Sequence, residues 1–153
     1  AIINHPTVQS VQDRVKGFKD ALAMFPEMRI VDDQAGQGRQ DVAMTVCENI
    51  LQRQPKLDGI FAINDNTALG ALAAIKNSGR EGIVVVGYDG DEAARQKILA
   101  GSPLKADAVQ FPREIGKITA DTVADSLAGK KVPSTIPVKV GIIDREVLLR
   151  EKE

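Results

Sequence analysis

Three short apolar runs in this chain each stop at a polar residue and give way to a helical pattern. The clearest is Gly59–Thr67, GIFAINDNT, where Ile60-Phe61-Ala62-Ile63 ends at Asn64-Asp65. A run this short and apolar, bounded by turn formers, suits a strand buried in a parallel sheet. Asn64 then stands at the strand's carboxyl end, where open α/β sheets bind their ligands. The side-chain oxygen of Asp65 or Asn66 is placed to cap the helix behind it. The arrangement recurs at residues 83–88, which end in Asp89-Gly90, and at 106–109, which end in Gln110. Side by side in one sheet, these strands set an Asn, an Asp and a Gln along one rim. That rim is the candidate ligand-binding edge.

The rest of the chain alternates in the same way. Ala1-Ile2-Ile3-Asn4 reads as the inside of a strand, which implies either preceding chain in a parent protein or an edge strand starting at residue 1; the first is favoured. His5-Pro6-Thr7 makes a turn. Val11, Val15, Phe18 and Leu22 form a helical apolar stripe, and Gly17 within it implies close packing on the sheet. Met28–Val31 is expected as a second strand, and Asp32–Gln40 as a polar loop. Helices are expected over 41–54 (Val42, Val46 and Ile50 inward), 66–77 (Ala68, Leu69, Leu72 and Ile75 inward), 91–100 and 114–127. Two short apolar runs, 138–140 and 142–143, precede a charged tail, 145–153, expected to be weakly ordered. This alternation predicts an α/β fold, a doubly wound, mostly parallel sheet with helices on both faces.

Composition narrows the function. At 153 residues, 43% apolar and 27% charged, the chain has the make-up of one globular domain. A net charge of −1 with interspersed signs gives no attraction to nucleic acid or a membrane surface. The single cysteine, Cys47, excludes an internal disulfide and suits a small buried hydrophobe. Gly36-Gln37-Gly38 lacks the third glycine of a dinucleotide loop, since position 41 is Asp, and no phosphate-binding Gly-Lys-Ser/Thr occurs. Asp32-Asp33 with Asp65 could form a receiver-like cation pocket, but Gln110-Phe111-Pro112 stands where its lysine belongs. His5, the only histidine, has no catalytic partner spacing, and no serine sits in a Gly-x-Ser-x-Gly elbow. Neither catalysis, a metal nor a cofactor is expected.

The rim suits a neutral ligand dense in hydroxyls. A hydroxyl both donates and accepts; Asp89 can take its proton, while the amides of Asn64 and Gln110 and the fork of Arg14 on the first helix serve its oxygen.

At these residues the chain also resembles a known family. Arg14-x-x-Gly17-Phe18, Phe61-Ala62-Ile63-Asn64-Asp65 with Ala68-Leu69-Gly70-Ala71, Val86-Gly87-Tyr88-Asp89-Gly90 and Val109-Gln110-Phe111-Pro112 resemble the C-terminal lobe of the ribose-binding branch of the periplasmic sugar-binding proteins. The resemblance runs through almost the whole chain. It implies the type I periplasmic binding protein fold, two lobes with the sugar held in the cleft between them, and sugar contacts from Arg14, Asn64, Asp89 and Gln110. Where relatives carry an aromatic that stacks on the sugar, followed by Asp-Arg, this chain has Gln37-Gly38-Arg39. Gln37 joins the candidate ligand contacts, and the missing ring points away from ribose, to a polyol or another pentose.

The resemblance also divides the chain. Residues 1–112 become the core of the lobe, 113–136 a segment crossing to an N-terminal lobe, and 137–153 a returning strand or strands with the tail. The helix at 114–127 then lacks its partner, so that Ile115, Ile118, Val123 and Leu127 would extend away, repack or pair with a second copy in a homodimer. The expected partners are a small sugar or polyol, the N-terminal lobe and the permease of an ABC importer. The expected location is the periplasm, or an extracytoplasmic lipoprotein in a Gram-positive organism. The competing function is the effector-binding core of a lactose-repressor-like regulator, which shares the fold.

Overall fold

Apolar residues alternate along the central strands, and the two sets they create face two different layers of helix. The computed structural model describes residues 1–151. Six strands lie in one sheet, in the order β2 (Asp33–Ala35), β1 (Ile2–Asn4), β3 (Gly59–Ala62), β4 (Val84–Asp89), β5 (Leu104–Val109) and β6 (Gly141–Asp144). All pairs are parallel except β5 with β6. On one face Ile3, Ile60, Ala62, Val85 and Leu104 pack with α2 (Gln40–Arg53), α3 (Asp65–Ser78), α4 (Glu92–Leu99) and α6 (Arg145–Arg150). On the other, Ile2, Phe61 and Ile63 meet Val11 and Val15 of α1 (Gln9–Leu22). Phe18 of α1 stacks on Phe61 with ring centroids 4.5 Å apart. Helices therefore cover both faces, but unequally: Val84 and Ile142, beyond the reach of α1, remain 43% and 64% exposed.

Several expectations are corrected. The second strand is Asp33–Ala35, not Met28–Val31. Ile2 donates to the Asp32 carbonyl and Gly36 to that of Asn4, which sets the polar segment into the ladder. Met28, Ile30 and Val31 stay exposed instead. Gly36 explains this register, because a Cβ there would collide with Ile3 Cγ2. Its glycine serves packing under the sheet edge. β1 is an interior strand, flanked by β2 and β3. In α2 the fully buried positions are Ala43, Cys47 and Ile50, with Val42 and Val46 half-buried. Burial pushes the Cys47 thiol up to about 12, as suits an inert apolar residue.

Of the two late apolar runs only the second forms a strand, β6. Residues 145–150 of the charged tail form α6, capped by Asp144 accepting the Val147 N–H at 2.9 Å. Leu148 anchors it, 3% exposed, in the main core; residues 152–153 of the expected tail lie outside the described residues. Gly17 does not pack on the sheet; a Cβ there would meet nothing within 4 Å. The expected helix near 114–127 is α5 (Pro112–Leu127), and among the described residues none of it is buried. Val123 and Leu127 are 53% and 85% exposed.

Candidate functional site

α1 and the carboxyl ends of β4 and β5 bring three of the five candidate residues, Arg14, Asp89 and Gln110, into one bonded group. Along β4, side chains alternate, so Tyr88 belongs to the face covered by α1 and Asp89 follows it at the strand end. There the backbone turns sharply: Asp89 has φ 122° and Gly90 φ 78°. A positive φ at a non-glycine residue holds strain of about 1–3 kcal/mol, and such strain concentrates at functional sites. Gly90 is required at the next position, since a Cβ would lie 2.7 Å from Val109 Cγ2.

The turn presents the Asp89 carboxylate to two partners. Arg14 Nη2 lies 3.2 Å from Asp89 Oδ1, and Gln110 Nε2 donates to the same oxygen at 2.7 Å. Arg14 is itself fixed, since Nη1 donates to the Ile63 carbonyl at 2.7 Å and its guanidinium lies 3.8 Å over the Tyr88 ring. Its side chain is only 15% exposed, against 39% for Asp89. Among the described residues both contacts fall on Oδ1, which leaves Asp89 Oδ2 and Gln110 Oε1 as unengaged acceptors on the rim.

The other two candidates stand apart from this group. Asn64, not Asp65 or Asn66, caps α3: its Oδ1 accepts the Thr67 N–H at 2.9 Å, and its Nδ2 donates to the Gly38 carbonyl at 3.2 Å. The cap falls to Asn64 because it is the last extended residue, with φ −159°. Gln37 is exposed, with φ 55°, on the loop that Asn64 ties down. The Asp32, Asp33 and Asp65 carboxylates do not converge. Asp32 pairs with Arg53 at 2.9 Å, Asp33 with Lys19 at 3.0 Å, and Asp65 lies buried beneath α4. His5 keeps its turn, with Nδ1 3.2 Å from Thr7 Oγ1.

Two open clefts flank Gln110. One, of about 390 Å³, is lined by Ser10, Asp13, Arg14, Gly17, Tyr88 and Gln110. The other, of about 460 Å³, runs past Asp89, Arg95, Phe111 and Arg113. Gly17 thus keeps the floor of the first cleft open beside Arg14. Tyr88 is the wall residue that sequence reasoning missed, although its place one residue before Asp89 on the α1 face was a readable signal. Charge, amides and an aromatic ring on a shallow open rim can bind a polar organic molecule from one side only.

Known proteins share the sequence pattern and the fold of this chain. The family model described as periplasmic binding protein domain matches residues 1–131. The D-apiose import binding protein of Actinobacillus succinogenes is 41% identical over 97 residues, 63% of this chain and 31% of that protein. The ribose import binding protein of Bacillus subtilis is 36% identical over 137 residues, 88% of this chain and 44% of that protein. A solved ABC transporter solute-binding protein from A. succinogenes with bound D-allose superposes with a TM-score of 0.89 at 30% identity, over 97% of this chain and 52% of that one. The chain spans less than half the length of these two curated relatives.

Proposed function

The chain belongs to the family of periplasmic binding protein domains, and on that premise we propose that it is one lobe of a two-lobed receptor that binds a small sugar or polyol for an ABC importer. The observation that carries this reading is Asp89, strained and held through one oxygen by Arg14 and Gln110, with its second oxygen unengaged beside an open cleft. A ligand hydroxyl donates to Asp89 Oδ2, and a second donates to Gln110 Oε1. Each bond to the charged partner contributes about 1.5–3 kcal/mol and each neutral one about 1 kcal/mol. Asn64 and Gln37 form the far end of the rim. One open lobe gives modest affinity after the entropy of binding is subtracted, so a second lobe closes over the ligand by a hinge motion.

In this reading residues 1–112 are the binding lobe, 113–136 cross to the other lobe and 137–153 return. The apolar face of α5 then meets the other lobe and not a second copy of this chain. The protein works outside the cytoplasmic membrane beside its permease, and the import names of the relatives favour this over a regulator's effector core. The lack of an aromatic in the Gln37 loop favours a polyol or a pentose other than ribose.

A thermal-shift screen of D-apiose, D-ribose, D-allose and acyclic pentitols on the two-lobed protein tests the proposal. A ligand at 100 times its Kd stabilises by about 2.7 kcal/mol, and Asp89→Ala is expected to abolish the shift. A well-folded protein that responds to none of them overturns the sugar reading.

A further inference from the structure

Beneath the turn that carries Asp89 lies a second pair of carboxyls that the rim does not use. Asp65, at the first turn of α3, and Asp107, on β5, are each 2% exposed. Asp107 is in register with Gly87 of β4, and Gly87 offers no side chain. A Cβ there would meet Asp107 Oδ1 at 2.9 Å and Asp65 Oδ1 at 3.4 Å. The two carboxyls therefore gather over the bare backbone of β4.

As two carboxylates this arrangement is unsupported. Among the described residues, Asp65 Oδ1 and both oxygens of Asp107 have no donor, and two buried like charges disfavour each other's ionisation. A single shared proton removes both problems, because a neutral carboxyl is a donor to the carboxylate it faces. Burial foremost, and then the facing Asp65, push Asp107 up to about 9, and burial likewise raises Asp65. The negative fields of Asp89 and Asp91 act in the same direction. The dipole of the nearby Gly90 amide opposes this at Asp107; at Asp65 the facing Asp107 carboxyl, and after it the Asp91 amide, oppose it. The remaining oxygen of the pair reaches the rim: Asp65 Oδ2 accepts the Asp91 N–H at 2.7 Å. Asp91 in turn caps α4 by accepting the Ala94 N–H at 3.0 Å.

We propose that Asp65 and Asp107 are positioning residues for ligand binding, holding one proton between their carboxyls and thereby fixing the Asp89–Asp91 turn in its ligand-facing geometry. The proposal rests on the sugar- or polyol-binding reading for its purpose, but its physical content is independent of which ligand binds. Loss of the proton places two like charges over Gly87, forces the carboxyls apart and pulls on the Asp91 amide. The sign follows from linkage. Between the ordinary carboxylate range and about 9 the folded chain keeps a proton that the unfolded chain releases. Stability therefore falls as pH rises through that window, and levels off above it.

The test is a pH titration from 6.5 to 10 of the backbone amide resonances of Gly90 and Asp91 in the full chain, for wild type and Asp107→Asn. The asparagine supplies a permanent N–H donor to Asp65 without a titrating proton. Wild-type resonances that move together through a transition near 9, and that stay flat in Asp107→Asn, support the proposal. Resonances that stay flat in wild type, or that titrate equally in the variant, overturn it. In parallel, any sugar found in the screen is expected to lose about tenfold in affinity for each pH unit above the transition in wild type and to hold its affinity in Asp107→Asn. A sugar affinity that falls equally in both proteins also overturns the proposal. If no sugar binds, the amide titration still decides the carboxyl pair, and only the sugar reading falls.

Discussion

α3 and α5 are amphipathic helices of similar length in the same chain, and they meet opposite fates. α3 buries eight residues, among them Ala68, Ala71, Leu72 and Ile75, between α2 and the sheet. α5 buries none, although Ile115, Ile118 and Val123 recur at helical spacing. Periodicity thus determines that a helix forms and which side is apolar. Whether that side is covered depends on what the chain places opposite it. α3 follows a central strand and is laid back onto the sheet by a short turn. α5 leaves from β5, whose further neighbour among the described residues is the antiparallel β6, and none of its described residues is buried against the sheet.

Side-chain truncation sharpens the contrast most. Ile75→Ala is expected to destabilise the chain by about 2–5 kcal/mol in urea unfolding, since the site is 3% exposed in the main core. Leu127→Ala, at 85% exposed, is expected to stay within about 0.5 kcal/mol of wild type. Equal losses at the two sites would mean that α5 is packed in solution and would break the comparison.

Glycine gives the smaller and more diagnostic effect, because its sign reverses between the helices. A Cβ on Gly70 of α3 would strike the Gln40 carbonyl and lie 2.9 Å from the Met44 amide nitrogen, both backbone groups of α2. Gly70→Ala is therefore expected to cost about 1–3 kcal/mol through overpacking. On Gly116 of α5 a Cβ meets nothing within 4 Å. There the same substitution is expected to gain up to about 1 kcal/mol of helix propensity, read as increased helicity by circular dichroism. A loss at Gly116 would show that α5 has a close neighbour.

Much of this molecule could be read from its sequence, for identifiable reasons. The three strand ends are bounded by apolar runs and turn formers, so Asn64, Asp89 and Gln110 fall on one rim by connectivity alone. Arg14 joined them through its place on the first helix. What escaped depended on tertiary context. Met28–Val31 is more apolar than Asp33–Ala35, yet edge pairing is decided by the backbone ladder and by the Gly36 contact with Ile3. The α6 pattern is about one turn and a half in which three charged residues flank Val147, Leu148 and Leu149, ordered by Leu148 finding the core. Asp107 carried a signal that went unused. It shares the inward face of β5 with Val109, a position at which a carboxylate needs a partner.

The antiparallel pairing of β5 with β6 has one more implication. The chain leaves the sheet after Val109 and re-enters at Gly141, and these two residues are register partners side by side. Everything between them, α5 included, is an excursion whose two ends already touch. Closing such a loop carries an entropy that grows only with the logarithm of its length. The excursion is therefore a cassette whose length can change at little cost to the strands that anchor it and the rim above them.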